Sequence, residues 1–145
     1  MDIFGDNWKD HAERTKANWM QKVKEQDTVL LPGDFSWAMK LEDTLPDFQF
    51  LNALPGRKLL LKGNHDYWWT TLNKMRNFLK ENNIATVDFI YNNSYCVEDT
   101  IICGTRFWSL NDTKDGKKML EREINRLKLS LEYGIQQFGT QKRIM

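Results

Sequence analysis

The stretch KLLLKGNHDYWW, Lys58 to Trp69, restricts what this chain can fold into more than any other. Leu59-Leu60-Leu61 is short and continuously apolar, the pattern of a strand buried on both faces. It stops at Gly63, where glycine lets the backbone turn sharply. The turn delivers an amide, an imidazole and a carboxylate, on Asn64, His65 and Asp66, at one strand end. Upstream, Val29-Leu30-Leu31 stops in the same way at Pro32-Gly33-Asp34. Between the two lies a short helical pattern starting near Pro46, with Leu45, Phe48, Leu51 and Leu54 as its stripe and Pro55-Gly56 as its stop. Strand, helix, strand in this order is a βαβ unit with parallel strands and a right-handed crossover. Parallel strands end on the same side of a sheet, so Asp34 and Asn64 are expected at one edge. Open α/β sheets bind their ligands there.

The remaining periodicities fill out an α/β chain. Trp8, Ala12, Thr15, Trp19 and Val23 predict an amphipathic helix from Trp8 to about Glu25. Trp68, Leu72, Met75 and Leu79 predict another over roughly 70–82, and Ile84 to Tyr91 reads as a strand. Ser94–Val97 and Ile101–Gly104 form a hairpin pattern. A turn centred on Asp99-Thr100 would set Cys96 opposite Cys103. A long helix from about Asp115 to Gln137 carries Leu120, Ile124, Leu127, Leu131, Ile135 and Phe138, a stripe expected to face the core. No repeat, low-complexity tract or linker divides the chain, so residues 1–145 read as one domain.

Composition bears on partners. A net charge of +1 gives no support to broad electrostatic capture of nucleic acid or an anionic membrane. No apolar run reaches membrane-spanning length, and MDIFGDNWKD lacks the basic and apolar regions of a secretory signal. Cys96 and Cys103 make neither a disulfide framework nor a four-cysteine zinc pattern. The expectation is a cytoplasmic protein with reduced thiols and no membrane partner.

At the strand ends the residue types suit metal and acid–base chemistry. Asp34 is a hard oxygen ligand able to bridge two divalent cations, and Asn64 can add its amide oxygen to one of them. His65 can protonate a leaving oxygen, with Asp66 orienting the imidazole. Two metals a few Å apart activate water and clamp a phosphoryl group for in-line displacement. Arg106, at a later strand end, is a candidate phosphate contact, with a surface ion pair as the plainer reading. Trp37, Trp68 and Trp69 can wall a pocket or pack between layers. His11 reads as a solvated helix residue.

Gly33-Asp34 and Gly63-Asn64-His65-Asp66, within PGDFSWAMK and LKGNHDYWW, resemble the second and third signatures of the calcineurin-like metallophosphoesterases. FGDNW and Cys103-Gly104-Thr105-Arg106 are similar to a bacterial branch of small members, so the resemblance covers essentially the whole chain. It implies a four-layer α/β-β/α sandwich. It also implies hydrolysis of phosphomonoesters or phosphodiesters with two ions, often manganese, iron, zinc or nickel. By the same resemblance Asp34 is the bridging ligand, Asn64 a ligand of the second metal, and His65, with Asp66 beside it, the catalytic histidine.

The departures are as informative. The family's opening Asp-x-His is absent, as is its closing Gly-His-x-His, and the chain's two histidines are His11 and His65. Trp37 stands where the second signature often has Asp or Asn. The expectation is therefore a partial sandwich, lacking the first strand and the C-terminal strands, with weak activity or none. A non-catalytic partner-binding protein, or half of a split enzyme completed by another polypeptide, is the alternative. Without a first strand, the strand carrying Asp34 is expected to show an unpaired edge.

Overall fold

The computed structural model describes residues 5–107 and 114–145. A 3-10 turn, Asp6–Trp8, precedes α1 (His11–Lys22); β1 (Thr28–Leu31), a second 3-10 turn (Glu42–Thr44), α2 (Leu45–Asn52), β2 (Arg57–Leu60), α3 (Leu72–Glu81) and β3 (Val87–Phe89) follow. The chain continues through β4 (Tyr95–Val97), β5 (Thr100–Ile102), α4 (Lys114–Phe138) and β6 (Arg143–Ile144). The first sheet has the order β1-β2-β3, all parallel, with Thr28 opposite Arg57, Leu31 opposite Leu60 and Lys58 opposite Val87. The expected βαβ unit is present. The second sheet has the order β4-β5-β6, an antiparallel hairpin with β6 parallel to β5.

Alternation along the strands builds the layers. Leu60 faces a core shared with Phe48 and Leu51 of α2, Met75 and Leu79 of α3, and Val87 and Phe89. Its neighbour Leu59 points the other way and packs with Ile90, Tyr95 and Ile102, closing the two sheets on each other. In β5, Ile102 faces the first sheet. Ile101 lies against α4, where Gly134 approaches so closely that an added Cβ would meet Ile101 and Ser94 at 2.6 Å. Helices, sheet, sheet, helix is the four-layer mixed α/β arrangement. Tyr95 ties the sheets together, its hydroxyl donating to the Phe89 carbonyl (3.1 Å) and accepting from Arg76 (2.8 Å). Burial and the nearby Asp88 push that phenol up to about 12. Lys58 is fully buried on β2, its ammonium donating to the Leu54 carbonyl just beyond α2 and to Thr86 Oγ1.

Three expectations need correction. The first helix is shorter than expected because Asp10 adopts φ 51°, a left-handed conformation that breaks it from the preceding turn. In the hairpin, Glu98 takes φ 50° and the turn is Glu98-Asp99, so Cys96 opposes Ile101 rather than Cys103. On α4 the expected stripe is only partly packed: Leu120, Leu131, Ile135 and Phe138 are half-buried. Ile124 and Leu127 are over a third exposed, while Glu123, Ser130 and Gly134 are buried. The helix is turned to set small residues against the second sheet: Ser130 Oγ donates to the Asn93 carbonyl (2.5 Å) and accepts from Gly104 N (3.1 Å).

Among the described residues β1 has one paired edge, and its Leu30 is partly exposed. No described helix is long and apolar enough to cross a membrane.

Phe48 is the hub of the helix-side core, in ring contact with Phe35, Trp68, Phe78 and Phe89. Phe48→Ala is expected to lower stability by about 3–5 kcal/mol, read as the loss in the urea midpoint times the denaturant slope.

Candidate functional site

The site is made by two loops leaving the same edge of the first sheet. Because Leu31 pairs with Leu60, Asp34 and Gly63 each lie three residues beyond a matched pair, and the loops emerge side by side. They touch backbone to backbone. A Cβ on Gly33 would overlap the Gly63 main chain, and one on Gly63 would overlap the Asp34 carboxylate. Gly33 also turns at φ 112° and Asp34 follows at φ 53°, which an aspartate tolerates better than most side chains. Glycine at both positions is therefore a steric requirement.

Asp66 clamps the loops. Its carboxylate, 1% exposed, accepts from the backbone N–H groups of Asp34 (2.9 Å), Phe35 (3.0 Å), Ser36 (3.4 Å) and Gly63 (2.7 Å), and from Trp68 Nε1 (3.1 Å). Ser36 passes the hold on to α2, donating its hydroxyl to Asp47 at 2.5 Å. The expected contact between Asp66 and the imidazole is not made, because both of its oxygens are spent on these donors.

Asp34 takes the imidazole instead. Its Oδ1 accepts from His65 N (2.9 Å), and its Oδ2 stands 3.1 Å from His65 Nδ1. These bonds to His65 hold the Asp34 carboxyl below its usual 3.8 against the opposing effect of desolvation. The Asn64 amide nitrogen lies 3.1 and 3.3 Å from the two ring nitrogens. Nδ1 cannot both donate to Asp34 and accept from Asn64, and the ionised carboxylate is the stronger partner. Trp37 stacks over the imidazole with centroids 6.0 Å apart and planes 21° apart, and Tyr67 meets it edge-on at 6.3 Å. Both aromatic rings are mostly exposed. Trp68 and Trp69 are core residues, so of the three candidate wall tryptophans Trp37 stands at the site.

Arg106 reaches the same place, its guanidinium 3.4 Å from the Asn64 carbonyl. Lys62 and Arg126 lie next to it, and Glu123 on α4 is held by Thr105 Oγ1 (2.5 Å) and Arg126 (2.9 Å). Desolvation, then the charges of Arg106 and Arg126, push Lys62 down. Of this basic group, sequence reading singled out Arg106 and missed Lys62 and Arg126. The signal for the missed residues is Arg122 and Arg126 four residues apart on a helix, a spacing equally common on solvated faces. His11 packs on Trp8 at 5.1 Å and lines a cleft of about 520 Å³ between α1 and α2; its hydrogen-bonding groups do not join Asp34.

The donor set falls short of a metal centre. Among the described residues no three His, Cys, Asp or Glu side chains gather to hold an ion. Asp34 and Asn64 offer oxygens, whereas divalent zinc, manganese or iron takes about four to six donors. These residues do not by themselves fit two metals.

The family model described as calcineurin-like phosphoesterase matches residues 3–133. No curated protein matches. A crystal structure of a protein of unknown function from Aquifex aeolicus is similar, at 24% identity and a TM-score of 0.45, covering 84% of this chain. This chain spans 61% of that one.

Two outcomes follow from the geometry. Asp66→Asn leaves the buried donors short of acceptors and should cost about 2–4 kcal/mol in chemical denaturation. Asp34, with its lowered folded value, stabilises the fold above the unfolded pKa and loses that contribution as pH falls through the folded one. The stability gap between wild type and Asp34→Asn should be flat above about pH 5 and close below about pH 4 in a pH series of urea melts.

Proposed function

The chain belongs to the calcineurin-like phosphoesterase family, and from that premise we propose that it presents part of a phosphoesterase centre, taking a phosphate mono- or diester at the strand-end loops. One observation carries the reading. Asp34 and Asn64, from the loops after two parallel neighbouring strands, each lie within 2.9–3.3 Å of His65 at the carboxyl edge of the sheet. Family members generally bind divalent metals, and Asp34 and Asn64 are the positions here that would contribute to holding them. Because these donors are too few, weak turnover or none is the reading for this chain by itself.

The chain's own groups still have definite tasks. The Asp34 carboxylate, kept ionised by its bonds to His65, holds a proton on Nδ1 of that ring. It thereby orients the ring, and the imidazolium form would give its Nε2 proton to a leaving oxygen, returning to the Nδ1–H tautomer. Trp37 and Tyr67 limit the ring's freedom to turn. Asp66 is a positioning residue. Arg106, at the Asn64 carbonyl, is placed to meet a phosphate oxygen.

Hydrolysis of p-nitrophenyl phosphate and its bis ester with added manganese tests this. Release near background, with manganese affinity no tighter than roughly 10⁻⁴–10⁻³ M and lost in Asp34→Asn, is the expected result. Turnover in the ordinary enzymatic range of about 1–10³ s⁻¹, abolished by Asp34→Asn, would overturn the incomplete-centre reading. Absence of any Asp34-dependent metal binding would overturn the phosphoesterase reading itself.

A second reading is favoured by the outer edge of β1. Thr28–Leu31 contains no proline, lysine or glutamate to discourage pairing, and Leu30 is partly exposed. A strand from a complementing polypeptide fits that edge and would bring further ligands beside Asp34. Activity that appears only on mixing with a second chain distinguishes this reading from the first. A complex that forms and survives Asp34→Ala without gaining activity marks a partner-binding role.

A further inference from the structure

Lys62, Arg106 and Arg126 line one recess of about 20 Å³, and Arg122 adds its charge nearby. The carboxylates among them are already committed. Glu123, 2% exposed, is bonded to Thr105 and Arg126, with Arg122 at 3.8 Å, and both oxygens of Asp66 are engaged by the loops. Lys62 is half-buried and makes no hydrogen bond or ion pair with any described residue. In a chain whose net charge is +1, this is a local concentration of cations that repel one another. Keeping the Lys62 ammonium beside guanidinium groups in a partly desolvated place is costly unless an anion joins it.

The recess borders the candidate site, since Lys62 directly precedes Gly63 and Arg106 contacts the Asn64 carbonyl. Its volume admits one oxygen-sized group. A phosphoryl group would sit at the mouth with one oxygen inserted among the three side chains.

We propose that Lys62, Arg106 and Arg126 form a subsite for a second anionic group, so that the substrate is a phosphate compound carrying two phosphoryl groups, such as a phosphoanhydride or a bisphosphate. This rests on reading the neighbouring loops as a phosphoesterase site. The anion subsite itself is tested without that chemistry.

The full chain, in buffer freed of metals by a chelating resin and held at constant ionic strength, is titrated with pyrophosphate by calorimetry. Saturable binding at one site is expected. Lys62→Gln should weaken it about tenfold, and Arg106→Gln should also weaken it. Asp34→Asn should not weaken it, because the change removes a negative charge acting on Arg106. The same change should abolish metal binding, and this separates the result from the fate of the metal reading. Ligand-free Lys62→Gln should melt at a higher temperature than wild type, because relieving repulsion stabilises the fold, whereas a lysine with a structural role would lower it. Absence of saturable binding, binding indifferent to Lys62→Gln, or binding lost together with Asp34 would each overturn the proposal.

Discussion

Everything at the functional edge depends on the buried carboxylate of Asp66. An ionised group with almost no exposure is tolerable only if its lone pairs are filled, and five N–H donors do that. Four of the donors are main-chain amides, three on the loop after β1 and one on the loop after β2. One charge therefore fixes two segments thirty residues apart in sequence. Asp34 is held in its left-handed conformation because its own N–H is engaged by that clamp. The clamp works only because the loops are in contact, and contact requires glycine on both sides. Sheet register, glycine pair and buried carboxylate form a single device, with the orientation of Asp34 and His65 as its output.

Much of this was legible in the sequence. Apolar runs ending at Pro-Gly-Asp and Gly-Asn-His-Asp located both strands, and the helical stripe around Phe48 made them parallel; their pairing as neighbours is the structure's addition. The parts that were not legible share a cause. Asp66 was assigned to the imidazole because it is adjacent in sequence, yet its partners lie across the sheet on a loop whose path no local pattern reveals. The hairpin register slipped because Glu98, with no glycine or asparagine to advertise it, takes a positive φ. Along α4 the apolar period was clear, but the choice of buried face was made by close approach. Ser130 and Gly134 let the helix settle on the second sheet, and that displaced Ile124 and Leu127 toward solvent.

That rotation of α4 has an electrostatic counterpart. With small residues inward, Glu123 is carried into the interior and Arg126 is brought over Tyr91, 5.7 Å from the ring centroid, at the end of β3. Glu123 is satisfied by Thr105 and Arg126, so its charge balances about one of the surrounding cations. The positive charge around Lys62 and Arg106 is thus a by-product of how α4 seats on the sheet. It lies at the same edge as the Asp34 loop because β2 and the segment after β5 end there. Two independent packing decisions, one in each sheet, converge on one strip of surface.

The strip is unevenly equipped. Its cations come entirely from this chain, and they attract a phosphate group as strongly before reaction as during it. Such uniform binding lowers the substrate concentration needed without lowering the barrier. Acceleration requires charge placed where it develops in the transition state, the part a pair of metals supplies in two-metal hydrolases. The clamp fixes the loops that carry Asp34 and Asn64, but preorganisation of two donors does not replace the affinity a fuller ligand set would give a metal. On the proposed reading, anion capture and bond cleavage are therefore separable. The cations for the first lie after β2, after β5 and on α4, and on the proposed reading the second would need further donors beside Asp34.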